Sequence, residues 1–229
     1  MEIRIDSLRF HWNLLGFKLH VPELHLRSAE SVAIIGPSGS GKTTFLKLLA
    51  GIIQANGGTI QLGKTVLSQK TDNERRVFRQ HSIGYVFQDF KLIEYLDVRE
   101  NILTPWRLSE KNTFDKATMR KRAMELIERL GLSSLSQRPI LELSHGERQR
   151  TAIARALLLK PGLVLADEPT GNLDPANKTV VRDLLLSEAA VHRSTLIMVT
   201  HDRSLVDGFD RVIDFAEFQI PPAKEATPS

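Results

Sequence analysis

Residues 36–44 read GPSGSGKTT, directly behind the apolar run VAII at 32–35. This stretch restricts the fold more than any other. Four consecutive apolar residues make a short buried strand. Glycines then turn the backbone, and Lys42, Thr43 and Thr44 open a helix that continues through Phe45, Leu46, Leu48 and Leu49. The pattern G-x-x-x-x-G-K-[ST] is met by Gly36, Gly41, Lys42 and Thr43, with Pro37, Ser38, Gly39, Ser40 and Thr44 completing the loop. The segment reads as an anion cradle. Glycines let backbone N–H groups curl around phosphate oxygens, and the helix N-terminus adds unpaired donors and partial positive charge. Lys42 is placed to reach the β and γ phosphates of a nucleoside triphosphate, and the Thr43 hydroxyl to ligate Mg²⁺.

Two further apolar runs end in chemistry. LVLA at 163–166 delivers Asp167 and Glu168, and LIMVT at 196–200 delivers His201. Continuous apolar character marks strands buried on both faces, and a helix from Pro175 to about Ala190 separates them, so they form a parallel βαβ unit. Ligands in open parallel sheets sit beyond the carboxyl ends of the strands, where these residues and the phosphate loop can meet. Asp167 is expected in the Mg²⁺ shell, largely through water, and Glu168 beside the attacking water. Such a sparse carboxylate set suits Mg²⁺, which keeps waters and phosphate oxygens as ligands. His201 can hydrogen-bond a γ-phosphate and orient the water.

The rest of the chain supports an α/β architecture. Ile3 and Ile5 alternate with Arg4 and Asp6, and Phe17, Leu19 and Val21 with Lys18 and His20. Both are strand patterns. Pro22-Glu23 then shifts the phase, which predicts that Leu24 and Leu26 face the other way. A hairpin is expected after Gly57-Gly58 and a strand over residues 82–87. The middle is helical. Met119, Ala123, Leu126, Ile127 and Leu130 share one face, Glu125 and Arg129 form an i,i+4 pair on the other, and Gly131 stands at the C-cap. Ser144 and Glu147 make an S-x-x-E capping box for a helix from about His145 to Leu159. The same Ser144, Gly146 and helix dipole also describe an anion site, and the two readings are compatible.

With its motifs in order, the chain resembles the nucleotide-binding subunits of ABC transporters over about residues 3–215. The phosphate loop at 36–44 is followed by Gln88 as Q-loop, 143–147 as signature, 163–168 as Walker B, GNLD at 171–174 as D-loop, and His201 as switch. The resemblance implies an α/β P-loop NTPase fold of ABC type. That fold has a mostly parallel sheet, an N-terminal antiparallel β subdomain and an α-helical subdomain inserted at about 90–145. Residues 1–220 would form one nucleotide-binding domain and 221–229 a disordered tail. ATP and Mg²⁺ are the implied cofactors and ATP hydrolysis the implied activity, with Lys42, Glu168 and His201 catalytic. Gln88 would ligate Mg²⁺ and report to the helical subdomain.

The resemblance also implies a head-to-tail homodimer. Ser144, Gly146 and Glu147 would touch the nucleotide bound to the partner, and Asp174 would work across the interface. Trp12, with Phe10 as alternative, would stack on adenine. EPTGNLD at 168–174 and GERQR at 146–150 are similar, more narrowly, to the ATPases of lipoprotein release, macrolide export and FtsE-type systems. Their partners are MacB/FtsX-like integral-membrane permeases, which would place this chain in the cytoplasm on the inner face of the membrane. No apolar run approaches the ~18 residues of a membrane span, so transport would need that second polypeptide. The net charge of +4 is spread among interspersed acids and bases and does not argue for nucleic acid. Absence of cysteine fits a reducing compartment. The alternative function is an FtsE-like regulatory ATPase or scaffold that controls a membrane partner without transport. One departure stands out: His145 occupies a signature position where glycine is usual, from which slightly altered turnover with an intact dimer is expected.

Overall fold

The computed structural model describes residues 1–12, 17–109, 114–171 and 173–218. The chain opens with β1 (Ile3–His11) and β2 (Lys18–Leu26), paired antiparallel. Then come β3 (Ser31–Ile35) and α1 (Lys42–Leu49). A second hairpin, β4 (Gly57–Leu62) and β5 (Thr65–Val66), completes a four-stranded sheet in the order β2-β1-β4-β5.

The alternation in β1 and β2 breaks at one level in both strands. Asp6 and Ser7 are both exposed, as are Pro22 and Glu23 opposite them. Ser7 turns left-handed, with φ 49°. Because the interruption is shared, Leu24 and Leu26 return to the same core as Leu19 and Val21. They do not face the other way, as the phase of β2 alone suggests.

The helical half follows: α2 (Asp72–Ser82), then strand β6 (Ile83–Val86), α3 (Val98–Arg107), α4 (Lys116–Arg129) and α5 (His145–Leu157). Capping boxes start α2 at Thr71, α3 at Asp97 and α5 at Ser144. Gly131 adopts φ 64° just past α4, as a helix-ending glycine does. Arg129 pairs with the buried Glu188, in the helix over Pro175–His192, rather than with Glu125, because tertiary packing offers it a carboxylate out of water. The chain closes through β7 (Leu163–Asp167), α6 (Pro175–His192), β8 (Thr195–Thr200) and β9 (Arg211–Asp214). The tail expected beyond residue 220 lies outside the described residues.

Strands β6, β7, β8, β3 and β9 form, in that order, a sheet whose pairings are all parallel. Both faces are covered over β3, β6, β7 and β8, which is why those strands are largely apolar, while edge strand β9 leaves Arg211 and Val212 exposed. Alternate side chains serve different cores. Leu163, Leu165, Ile197 and Val199 join α1 and the antiparallel sheet. Val164, Ala166, Leu196 and Met198 join α3, α4, α5 and α6. One close approach locks the seam between β6 and α5: a methyl on Gly84 would stand 2.4 Å from the Ala156 carbonyl oxygen. The carboxyl ends of β3, β6, β7 and β8 deliver the phosphate loop, Gln88, Glu168 and His201 to one edge of this sheet.

Candidate functional site

Those four strand ends meet at a cavity of about 510 Å³, lined by residues 38–44 with Gln88, Glu168, Gly171 and His201. Within the loop, Gly39 and Gly41 take φ of 76° and 102°, which glycine alone adopts without a steric penalty. Gly41 also caps α1. A Cβ there would lie 2.1 Å from the ring of Phe17, so that ring rests directly on the loop backbone. Sequence reasoning missed Phe17, which reads as one more inward strand position. The available hint was an aromatic immediately before β2.

Lys42 is buried, at 4% exposure. Its Nζ donates to the Gly36 and Pro37 carbonyls at 2.7 and 2.9 Å and lies 3.4 Å from Glu168 Oε1. Thr43 Oγ1 donates to Asp167 Oδ1 at 2.9 Å, and Tyr85 OH donates to Asp167 Oδ2 at 3.2 Å. Asp167 therefore sits behind Thr43 rather than on the cavity wall. Burial pushes its carboxyl pKa up, against the pull of the two hydroxyl donors. Burial likewise pushes the Tyr85 phenol up, reinforced by the Asp167 charge. Thr43, Gln88 and Asp167 form an all-oxygen donor set with one carboxylate, and these residues fit a hard cation such as Mg²⁺.

Glu168 has φ 46°, a left-handed backbone in a residue with a full side chain. Its N–H donates to the Val199 carbonyl at 3.1 Å, which ties the strained turn to the neighbouring strand end. Its Oε2 lies 2.7 Å from His201 Nδ1. Behind His201, Asp202 is braced by Lys178 Nζ at 2.8 Å. That ion pair holds the Asp202 carboxyl down at about 2, with help from Ser204. Sequence reasoning did not find this brace, because its two members lie far apart in the chain.

Ser144, Gly146 and Glu147 stand at the open N-terminus of α5 and do not line the cavity. Glu147 Oε2 accepts from the Ser144 N–H at 2.7 Å, and the Ser144 bonds hold the Glu147 carboxyl below its usual range. Asp174 caps α6, accepting from the Asn177 N–H at 3.2 Å. Asn172 of the D-loop lies outside the described residues. Trp12 is 62% exposed and meets Phe10 edge-on, with centroids 4.9 Å apart. Phe10 itself belongs to the core. Neither lines the phosphate cavity.

Residues 19–171 match the family described as ABC transporter. The chain is 44% identical over 184 residues to the lipoprotein-releasing system ATP-binding protein LolD 1 of Rhodopirellula baltica, covering 80% of this chain and 79% of that protein. It is 40% identical over 207 residues to the lipoprotein-releasing system ATP-binding protein LolD of Xanthomonas campestris pv. campestris, covering 90% and 84%. Among solved structures it superposes on the ATP-binding cassette MJ0796, captured as a dimer in a post-hydrolysis state bound to ADP and Pi. The TM-score is 0.81 at 28% identity, over 95% of this chain and 94% of that one.

Proposed function

Because the chain belongs to the ABC transporter family as an ATP-binding ATPase subunit, we propose that it powers a separate integral-membrane permease. ATP-driven closure of a head-to-tail homodimer would be the coupled step, and lipoprotein release or a related export process the task. The observation that carries this reading is the gathering of Lys42, Glu168 and His201 with the phosphate loop around one cavity at the carboxyl edge of the parallel sheet. Intact hydrolytic geometry favours this over a non-hydrolysing scaffold. The relatives named for lipoprotein release and the dimeric solved cassette support the finer points.

In the mechanism we propose, residues 1–220 act as one nucleotide-binding domain. Lys42 gives up the carbonyls of its own loop for the β and γ phosphates, and the amides of residues 38–44 hold the same oxygens. Thr43, Gln88 and, through water, Asp167 would hold Mg²⁺, which when bound offsets charge on the transferring phosphoryl group. Losing Lys42 as a neighbour frees the Glu168 carboxylate to take a proton from the attacking water. His201 meets that carboxylate through Nδ1, and its ring N–H would turn to donate to the γ-phosphate once ATP is bound. Ser144, Gly146 and Glu147 cover the partner's nucleotide, and Asp174 contacts the partner near its start of α6.

Trp12 is the proposed adenine contact, since its ring is exposed and that of Phe10 is not. Trp12→Ala should weaken ATP binding about 5- to 100-fold, the range for stacking a base on an aromatic ring. Inorganic tripolyphosphate, titrated calorimetrically as a probe, should bind as before. Equal losses for both would remove the stacking role.

The segment following Gln88 supplies a firm platform for a permease. Asn101 is fully buried, accepts from the Ile93 N–H at 2.8 Å and donates to the Ile93 carbonyl at 2.9 Å. Tyr95 projects from that stapled loop at 87% exposure. No helix among the described residues is long and apolar enough to cross a membrane. We place the chain on the cytoplasmic face, held there by its permease. The test is co-expression with a MacB/FtsX-like permease and affinity capture of the permease from detergent. The chain should be retained, and Tyr95→Glu should reduce retention about tenfold or more, as loss of an interface aromatic does. Free elution of the wild-type chain would defeat the coupling.

A further inference from the structure

The helix that begins at Ser144 grips the segment behind Gln88 at two places. Phe90 and Lys91 are consecutive non-glycine residues in the left-handed region, with φ of 60° and 49°. Bulky side chains persist there only where the surroundings over-determine them. Arg155 of α5 supplies one constraint: its guanidinium donates to the Phe90 and Lys91 carbonyls, both at 2.5 Å. Burial lowers the Arg155 pKa to about 10, so the clamp remains cationic at neutral pH. His145, at the other end of the same helix, supplies the second. Its ring meets the buried Phe90 ring edge-on, with centroids 4.6 Å apart and planes at 66°.

We propose that His145 is a positioning residue for ATP hydrolysis. Through Phe90 it fastens the Gln88 segment to the helix carrying Ser144 and Gly146, so that both shift as one body. The inference rests on the reading above of Gln88 and Ser144 as nucleotide-site residues. Glycine at 145 has no ring to offer Phe90, and among the contacts described from α5 it leaves the strained turn to Arg155. The histidine is thus a second fastening at a position where only close approach to a nucleotide would otherwise count.

The full chain can be tested as wild type, His145→Gly, His145→Phe, Phe90→Leu and the His145→Gly/Phe90→Leu double variant. Two readouts are needed: hydrogen exchange of the peptide covering residues 86–96, and steady-state hydrolysis. His145→Gly should exchange this peptide faster and lower kcat roughly three- to tenfold, with KM for ATP unchanged within about twofold. His145→Phe should restore both readouts. Phe90→Leu should match His145→Gly, and the double variant should be no worse than either. Additive losses, failure of His145→Phe to rescue, or faster exchange without a fall in kcat would overturn the proposal. Gln88→Ala separates the two levels. A wild-type rate for Gln88→Ala removes the assignment beneath the inference. A slow Gln88→Ala beside a His145→Gly that is wild type in both readouts removes the inference alone.

Discussion

Glu168→Gln should lower phosphate release by about 10²- to 10⁴-fold, the contribution of a well-placed general base. The substitution keeps the shape of the side chain and removes its basicity. The left-handed turn at residue 168 and its N–H bond to Val199 are backbone features, so they survive the change. The phosphate contacts proposed for Lys42 and the loop amides should survive as well. The variant should therefore hold ATP without cleaving it and elute as a stable dimer in ATP and Mg²⁺, where the wild type cycles back to monomer. Phosphate release and size-exclusion chromatography with light scattering measure both effects. A wild type that hydrolyses no faster than Glu168→Gln, even with its permease, would reverse the assignment of Glu168. A monomeric Glu168→Gln at saturating nucleotide would count against the proposed head-to-tail homodimer.

Lys42→Ala should be nearly as severe for turnover, by a different route. The ammonium is buried and touches two carbonyls of its own loop as well as Glu168. Its loss leaves those acceptors without their donor and, in the proposed mechanism, takes away the positive charge set against the triphosphate. Turnover should fall about 10²-fold or more, as when a charged or hydrogen-bonding contact to the transition state is deleted. ATP affinity should fall as well, by roughly 10- to 100-fold. Together the two variants separate the roles: Glu168→Gln retains nucleotide and Lys42→Ala loses it. Calorimetric titration of both with ATP and Mg²⁺ decides the matter. Equal, wild-type affinities would mean that Lys42 does not reach the phosphates.

Much of this was legible because the chemistry sits where the local pattern is strongest. The phosphate loop, Asp167, Glu168 and His201 all stand directly behind continuous apolar runs, and the parallel sheet followed from those runs being buried on both faces. The capping box at Ser144 was readable for the same local reason. What escaped depended on partners distant in sequence. The common interruption at Ser7 and Pro22 is a property of two strands together, so β2 alone misplaced Leu24 and Leu26. Helix α2 is polar, with Arg75 its one buried residue among those described, and only its Thr71 cap announces it. Phe17 against Gly41, Lys178 on Asp202, and Arg155 over the Phe90 and Lys91 carbonyls are contacts no spacing rule encodes. The role of the signature across a subunit boundary came from family resemblance, since a cap and an anion site look the same in one chain.

The parallel sheet acts as a party wall between two compartments. Val164 and Ala166 look into one, while Leu163 and Leu165 look into the other. Neighbours along one strand therefore report to opposite tenants. A defect at an odd-numbered position of β7 loosens the half that shelters the phosphate loop, and one at an even-numbered position loosens the half from which the partner's nucleotide would be covered. Damage to grip and damage to lid can thus be inherited separately, one residue apart.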